Sequence, residues 1–350
     1  MIKVAIIGFG YSGKRFYEIL KVRQKKQNDI KIVGICDNNP NALTGLNDIF
    51  TCTKVEKLFM ISKDIDIIII AVNEKYRFEI FKEVLKYKNK FKIIISEKLL
   101  TENVEQAEKV LEMYQNFGVF VHFVERFSPV VSDFQKWKKV NHLTVRRANF
   151  FWGKNRLYDK RPTIGVISEI SHPLDLVLYL SDATYNEKFE IESGNYVFSN
   201  YSLYDIDLLE TINVSIKTDN NLFIFGNSSF LWNKRDRRIS LFLSNGQDDD
   251  IKYIANFTFD YPSWDNDKCE IFKVDKLEKN IYKIKEYIST ANKDELKGLK
   301  KMYSFLEKVI EQLYEHKTEK KELPDLKSSV YIQNIVDEIL KEAKTLGYHF

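Results

Sequence analysis

Hydrophobic residues in the first 125 positions alternate between short apolar runs and segments with helical spacing. Ile2–Ile7 is an apolar run, and the next apolar residues, Phe16, Ile19 and Leu20, have the spacing of one helical face. Further runs predict strands at 30–36, 65–72, 91–96 and 119–124, and helical segments are predicted at 75–86 and 102–116. Because near-continuous Ile and Val strands suit a parallel sheet covered on both faces, residues 1–125 are predicted to form a doubly wound α/β domain.

The remaining residues, 126–350, have a different pattern. Alternating apolar positions at 212–216, 239–243 and 255–259 predict strands of an open, mostly antiparallel sheet with one covered face. A further strand is predicted at 142–152, and the basic segment 233–238 is interpreted as a hairpin turn. Helices are predicted at 293–314 and 326–346, the last of which is expected to pack back on the first domain. This part of the chain is therefore predicted to be a second, α+β domain that binds substrate and mediates oligomerisation.

Composition and charge exclude several classes of protein. The chain has 54 basic and 50 acidic residues, a net charge of +4, and its charges are spread along the sequence rather than clustered as in a nucleic-acid binder. Its longest strongly apolar run, 67–72, is far shorter than the roughly 20 residues that cross a membrane. Cys36, Cys52 and Cys269 have the spacing of neither a metal site nor a disulfide framework. A cytoplasmic protein is predicted, with no metal, nucleic-acid or membrane partner.

A glycine-rich string, Gly8-Phe9-Gly10-Tyr11-Ser12-Gly13, lies between the first strand and the first helix. In that context the glycines permit a tight turn, close approach of a pyrophosphate and close helix packing, and the helix N-terminus faces the negative charge. Asp37 ends the second strand 24 residues after Gly13, near the spacing of the carboxylate that accepts a ribose hydroxyl. An anion there repels a 2′-phosphate, and Asn38 and Asn39 supply no cation. The sequence predicts a Rossmann domain that binds NAD, with NADP as the alternative.

Two further segments carry a resemblance to a known family. Glu97-Lys98-Leu99-Leu100 follows the strand at 91–96, and the segment 165–175 contains Glu169 and His172. With the glycine-rich string and Asp37, they resemble the glucose–fructose oxidoreductase and inositol dehydrogenase family (Gfo/Idh/MocA). Its members have a Glu-Lys-Pro motif after the fifth strand and an Asp-x-x-x-His motif that opens a helix of the second domain. Here Leu99 replaces the proline, and Glu169 or Ser168 takes the place of the aspartate.

The resemblance implies an NAD(P)-dependent oxidoreductase that transfers a hydride between nicotinamide and a ring carbinol of a sugar, cyclic polyol or nucleotide-linked sugar. Lys98 is predicted to polarise the reacting oxygen, and His172 to exchange its proton, because histidine titrates near neutral pH. Glu169 is predicted as the third catalytic residue, and Pro173 is expected to start or kink the helix. Besides the string 8–13, the predicted cofactor contacts are Asp37, Asn38, Asn73, Glu97, Lys98 and Arg126.

A basic loop precedes the segment that contains His172. Its cations, Lys154, Arg156, Lys160 and Arg161, can bind a phosphate or carboxylate, and Tyr158 can stack on a base or sugar. A solvent-exposed basic loop is the equal alternative. The predicted substrate contacts are Lys98, Arg156, Tyr158, Arg161, His172 and Asp175.

The same resemblance leaves two other functions open. Some members of the family hydrolyse glycosides through a transient oxidation that regenerates bound NAD. A non-catalytic dinucleotide-sensing regulator is the second alternative, although it would need neither Lys98 nor His172. Because members of the family form subunit contacts through the open sheet, a homodimer or homotetramer is implied.

Overall fold

The computed structural model describes the chain except for residues 62–63, 157–162, 200–207, 246–249, 292–295, 297, 315–321, 343 and 350, and it describes the backbone alone for 344–349. Contacts between Cα atoms divide the chain into two compact units. The first unit contains Met1–Val124 and Asp294–Gln333, and the second contains Glu125–Lys293 and Asn334–Phe350.

The first unit is built on a six-stranded parallel sheet. Its strands are β1 (Ile2–Ile7), β2 (Ile30–Cys36), β3 (Thr51–Cys52), β4 (Ile65–Ile70), β5 (Phe91–Ser96) and β6 (Gly118–Val121). Its helices are α1 (Tyr11–Gln27), α2 (Val55–Ile61), α3 (Glu74–Leu85), α4 (Val104–Met113) and α7 (Lys300–Tyr314). The strand order β3-β2-β1-β4-β5-β6 is that of a doubly wound dinucleotide-binding sheet, so the predicted class of this domain is confirmed.

The burial of the central strands explains the unbroken apolar runs in the sequence. Ile67, Ile68, Ile69 and Ile70 on β4 are all fully buried, although neighbouring positions point to opposite faces. A strand covered on both faces needs apolar residues at every position. Because all strands are parallel, the residues that follow β1, β2, β4 and β5 lie along one edge of the sheet, where ligands of such folds bind.

The second unit is built on a nine-stranded sheet with the order β14-β13-β12-β11-β7-β10-β9-β8-β15. Its strands are β7 (Leu143–Asn155), β8 (Phe189–Ser199), β9 (Leu208–Thr218), β10 (Phe223–Ser229), β11 (Leu231–Asn245), β12 (Tyr253–Phe259), β13 (Asp267–Asp275), β14 (Asn280–Ser289) and β15 (Lys344–His349). Two helices of this unit, α5 (Pro129–Val140) and α6 (Ile167–Leu180), contact the sheet. Within the described part of this nine-stranded sheet only the pairs β7–β10 and β8–β15 are parallel, which confirms the predicted mostly antiparallel sheet.

Two of the local predictions for residues 126–350 were wrong. The basic segment 233–238 is not a hairpin turn but part of β11, where Arg237 pairs with Trp152 of β7. The last helix, α8 (Leu326–Glu342), is shorter than predicted and is followed by β15. Charged residues suggested a solvated turn at 233–238, whereas buried carboxylates from other segments compensate the charge of Arg237. No helix in the described part of the chain is both long and apolar enough to cross a membrane.

Candidate active site

The glycine-rich turn after β1 leaves the N-terminus of α1 open to an anion. Gly8 has a φ of +91°, and a Cβ atom there would lie 2.7 Å from the Ala71 carbonyl carbon, so the turn requires glycine. The Gly8 N–H donates to the Cys36 carbonyl over 2.8 Å, which fixes the turn against β2. No side chain caps α1, and its first turn has no acidic residue. The backbone therefore presents its partial positive charge where a pyrophosphate can bind.

Asp37, the predicted ribose-binding carboxylate, lies against this turn. Its Oδ2 accepts a hydrogen bond from the Phe9 N–H over 2.6 Å, and its Oδ1 accepts one from the Asn39 N–H over 2.9 Å. Each carboxylate oxygen can accept a second hydrogen bond, so the side chain still has sites for ribose hydroxyls. Asn38 is exposed beside it. These residues fit a dinucleotide bound across the turn.

We expect Gly10→Ala to lower the affinity for NADH by about tenfold or more without loss of stability. A Cβ atom at Gly10 would meet no described protein atom within 4 Å, so the added methyl group would enter only the space predicted for the pyrophosphate. Gly13→Ala is the matched variant, because its Cβ atom would lie 2.0 Å from the Gly8 carbonyl oxygen and must disturb the turn itself. Fluorescence titration with NADH and thermal unfolding separate the two effects. An unchanged dissociation constant in Gly10→Ala would contradict the predicted pyrophosphate site.

Glu97, directly after β5, is bound to the glycine-rich turn. Its carboxylate accepts a hydrogen bond from the Ser12 hydroxyl of α1 and interacts with His122 Nδ1 at 3.0 Å. Burial alone raises the pKa of Glu97, but His122, Ser12 and the Arg77 charge outweigh burial and hold the pKa well below its ordinary value of 4.5. The predicted cofactor contact at Glu97 thus joins β5 to the start of α1.

The depressed pKa of Glu97 predicts a specific pH dependence of stability. As the pH falls below about 4.5, the unfolded chain takes up a proton at Glu97 before the folded chain does, so the free energy of unfolding decreases. Glu97→Gln lacks this contribution, and its free energy of unfolding should vary less steeply with pH, by up to about 1.4 kcal/mol per pH unit. Denaturant unfolding between about pH 5 and pH 3 measures both slopes. The exposed Glu102→Gln is the control, and a slope in Glu97→Gln equal to that of the wild type would refute the expectation.

Lys98 follows Glu97 at the same edge of the sheet as the glycine-rich turn. Its side chain is half-buried, whereas the next two residues, Leu99 and Leu100, are each 1% exposed and anchor the segment in the core. The Lys98–Leu99 peptide bond is cis. Asn73, another predicted cofactor contact, caps α3 by accepting a hydrogen bond from the Lys75 N–H over 3.0 Å. The first unit therefore brings Lys98 to the cofactor-facing edge, as the sequence predicted.

In the second unit, His172 lies on α6 beside a buried tryptophan. Gly165 has a φ of +95°, and the next residue, Val166, donates its N–H to the Leu209 carbonyl over 2.7 Å, so the start of the helix is fixed to β9. Pro173 lies inside α6 rather than at its start. The half-buried imidazole of His172 is nearly parallel to the Trp152 ring, with ring centres 6.4 Å apart.

Glu169 is 3% exposed and is held by several hydrogen-bond donors. Its Oε1 accepts from Arg237 Nη2 over 2.8 Å and from Trp152 Nε1 over 3.3 Å, and its Oε2 accepts from Lys154 Nζ. Both carboxylate oxygens of Glu169 therefore already accept hydrogen bonds from cationic groups. The predicted catalytic Glu169 is thus placed to position Trp152, against which His172 lies.

Arg237 is the centre of this buried network. Besides Glu169, its guanidinium donates to Glu125 Oε1 over 2.9 Å and to Asp260 Oδ2 over 2.7 Å. Burial by itself lowers the pKa of Arg237, but the three carboxylates outweigh burial and raise the pKa above its ordinary value. The sequence missed this residue because it lies in the segment interpreted as a turn, and no local pattern distinguishes a buried arginine from a solvated one.

Arg126 and Asp175, two of the predicted ligand contacts, are partners of each other in the structure. Arg126 was expected to bind the cofactor and Asp175 the substrate, but they form a buried two-point ion pair with exposures of 4% and 1%. Arg126 also donates to the Tyr185 hydroxyl over 2.9 Å and lies over the Tyr179 ring. Both oxygens of Asp175 are therefore bound by Arg126 within the second unit.

Among the predicted substrate contacts of the basic loop, the structure describes only Arg156. It is 8% exposed, and its guanidinium lies 4.9 Å from the centre of the Phe230 ring. Tyr158 and Arg161 lie outside the described residues. Lys154, by contrast, is bound to Glu169 and lies in the same network as Arg237.

Several solved structures share the fold of this chain. The 3-ketoreductase KijD10 from Actinomadura kijaniata, solved with NADP and TDP-benzene, has a TM-score of 0.74 at 12% identity over 99% of each chain. The UDP-N-acetylglucosamine 3-dehydrogenase GnnA from Acidithiobacillus ferrooxidans has a TM-score of 0.68 at 16% identity, over 98% of this chain and 97% of that chain. The transcriptional regulator Gal80p from Kluyveromyces lactis has a TM-score of 0.72 at 14% identity, over 97% of this chain and 89% of that chain. At such identities these likenesses establish the fold alone.

Sequence comparison adds one finding about the family. No curated protein sequence matches the chain significantly. Residues 2–124 match the model of an oxidoreductase family with an NAD-binding Rossmann fold, GFO_IDH_MocA. The resemblance recognised in the sequence is thereby confirmed over residues 2–124, which match the NAD-binding Rossmann domain of the Gfo/Idh/MocA oxidoreductase family.

Proposed function

We propose that the protein is an NAD-dependent oxidoreductase that transfers a hydride between the nicotinamide and a ring carbinol of a nucleotide-linked sugar. When bound, the cofactor supplies the hydride acceptor or donor, while the chain's own residues bind it, orient the substrate and move one proton. Asp37 accepts hydrogen bonds from the adenosine ribose, and the N-terminus of α1 binds the pyrophosphate. Lys98 polarises the reacting oxygen, and His172 exchanges the hydroxyl proton.

The observation that carries this proposal is the hydrogen bond between Glu97 and Ser12. This hydrogen bond fixes Glu97 to the first turn of α1. Lys98 is the next residue, so its backbone is held close to the dinucleotide-binding turn. A lysine that only caps a strand would need no such link to the glycine-rich turn. A cation at this edge can stabilise the negative charge that develops on a carbinol oxygen as the hydride leaves.

The choice of cofactor and substrate rests on charge. The Asp37 carboxylate at the ribose position favours NAD, since it repels the 2′-phosphate of NADP. KijD10 was solved with NADP and a TDP derivative, and GnnA acts on a UDP-linked sugar. The guanidinium of Arg156 over the Phe230 ring suits a substrate with an anionic group, as a nucleotide-linked sugar has, whereas Lys154 and Arg237 are already paired with carboxylates.

The purified protein should reduce NAD when it is incubated with UDP-linked or dTDP-linked sugars, and should use NADP less efficiently. Nicotinamide absorbance measures the reaction, with free sugars and cyclic polyols as the comparison.

Steady release of a sugar from an aryl glycoside without net NADH would instead favour the glycoside hydrolase. NAD binding without turnover on any carbinol would favour a sensor, the second candidate raised by the likeness to the regulator Gal80p.

Assembly and location belong to the same proposal. A homodimer or homotetramer formed through the open sheet is predicted, and light scattering of the purified chain measures its mass. The described cysteines, Cys36, Cys52 and Cys269, are unpaired and buried, as is usual for proteins of the reducing cytoplasm.

A further inference from the structure

A stack of alternating aromatic and cationic groups extends from His172 through the second unit. His172 lies beside Trp152, whose ring centre is 4.9 Å from the Arg237 guanidinium. Arg237 lies 5.6 Å from the centre of the Trp264 ring, and the guanidinium of Arg235 lies 3.4 Å from that same ring centre. The stack therefore begins at the proposed proton-exchanging group and ends at Arg235.

Arg235 differs from Arg237 in how its charge is compensated. Arg237 has three carboxylate partners, whereas Arg235 forms no ion pair with any described residue. The Arg235 Nε atom is buried and has no hydrogen-bond partner in the described part of the chain. Burial and the neighbouring Arg237 lower the pKa of Arg235 and outweigh Asp260, Glu169 and Glu125, which act on it from a distance and raise it. A half-buried guanidinium with an unused donor is suited to an anionic ligand.

The backbone around Arg235 is shaped to present it. Between the pairs Leu231–Asn155 and Asp236–Gly153, β11 contains residues 232–235 while β7 contains only Lys154. Such bulges occur next to active sites, where they redirect side chains out of the regular sheet. Arg235 is the last residue of this bulge.

The loop that carries Trp264 is held in place by buried carboxylates. Asp260 Oδ1 accepts from the Asp265 N–H over 3.0 Å, and the Asp260 N–H donates to Asp267 Oδ1 over 2.8 Å. Asp260 also accepts from Arg237 through its Oδ2, so one carboxylate joins the loop to the network around Glu169. Trp264 is thus a fixed platform for Arg235 rather than a loose surface side chain.

We infer that Arg235, stacked on Trp264, binds a phosphoryl group of the substrate, while the carbinol end of the substrate reacts at His172. This inference rests on the proposed function, because it assigns the anionic part of the same substrate. A planar guanidinium can donate two parallel hydrogen bonds to a phosphoryl group, and stacking on an aromatic ring fixes its orientation. The phosphoryl group belongs either to a nucleoside diphosphate or to a sugar phosphate, which share this chemistry.

The test compares Arg235→Gln with Arg238→Gln in the full chain with saturating NAD. Arg238 is the matched control because it lies on the same strand but is exposed and paired with Asp236 over 2.8 Å. Calorimetric titration with UDP, inorganic pyrophosphate and glucose 1-phosphate should show binding to the wild type. Arg235→Gln should weaken it by about 10- to 100-fold, and Arg238→Gln should leave it unchanged. Trp264→Leu keeps the charge of Arg235 but removes the platform, and should also weaken binding.

The outcomes separate the ligand sources and the two proposals. Arg235-dependent binding of UDP and pyrophosphate identifies a nucleoside diphosphate, and Arg235-dependent binding of glucose 1-phosphate alone identifies a sugar phosphate. Equal affinity of the wild type and Arg235→Gln for every probe, or no binding of any probe to the wild type, would overturn the inference. Arg235-dependent binding without NAD reduction on any sugar would retain the phosphoryl site and reject the proposed function. Equal turnover of an unphosphorylated sugar by the wild type and Arg235→Gln, with no probe bound, would reject the phosphoryl site and retain the oxidoreductase activity of the proposed function.

Discussion

Lys98→Met should lower kcat by about 100- to 1,000-fold, because it removes a preorganised donor to the oxygen on which charge develops. The substitution keeps most of the length and apolar volume of the side chain and removes the ammonium group. The affinity for NADH should change by less than about fivefold, since the glycine-rich turn and Asp37 hold the adenosine and pyrophosphate without Lys98. Initial rates with a nucleotide-linked sugar and fluorescence titration with NADH measure the two quantities.

Lys92→Met is the control for this prediction. Lys92 lies on β5, six residues before Lys98, and its exposed ammonium group pairs with Asp66 over 2.7 Å. An exposed ion pair contributes roughly 0–1 kcal/mol to stability, so this variant should keep the wild-type kcat and nearly the wild-type stability. A kcat in Lys98→Met within about threefold of the wild type would remove Lys98 from the proposed chemistry.

The elements predicted best were those with a local physical cause. β2 and β5 were predicted at the residues where they are observed, because a strand buried on both faces needs an unbroken apolar run. β6 was predicted to continue to Val124, but it ends at Val121 and a short turn begins at Val124. Phe123 in that connection is 2% exposed, so apolar character continues beyond the strand and gives no signal of its end.

The predicted site residues also fall into two groups: those with a local signal in the sequence, and those whose partners are distant in the sequence. Gly8 and Asp37 were identified from local spacing, because the turn and the neighbouring strand end come from one βαβ unit. Arg126 and Asp175 were predicted to bind ligands, yet they are partners of each other across 49 positions of sequence. A sequence shows which residues carry charge but not which charges compensate each other within the fold. Arg235 and Arg237 lie close together on β11, and only the tertiary partners distinguish the compensated arginine from the other.

Arg237→Met is expected to lower the free energy of unfolding by about 3–5 kcal/mol at neutral pH. Methionine fills much of the volume of arginine, so the loss comes from leaving Glu125, Glu169 and Asp260 buried without their shared cation. The side chains of these carboxylates are at most 4% exposed, and water cannot replace the guanidinium. Arg238→Met, at the next and exposed position, should change stability by less than about 1 kcal/mol. Denaturant unfolding of both variants measures the difference.

The pH dependence of Arg237→Met tests the cause of this loss. Without the guanidinium, burial and mutual repulsion raise the pKa values of Glu125 and Asp260 above those in the unfolded chain, whereas Glu169 keeps its ion pair with Lys154. The folded variant then binds more protons than the unfolded chain, so its free energy of unfolding increases as the pH is lowered through the raised pKa values. The stability gap to the wild type should therefore narrow between about pH 7 and pH 5. Arg237→Met combined with Glu125→Gln should recover part of the loss at neutral pH, because it removes one of the buried carboxylate charges that Arg237 compensates. A gap that is independent of pH, with no recovery in the double variant, would mean that lost packing rather than buried charge accounts for the destabilisation.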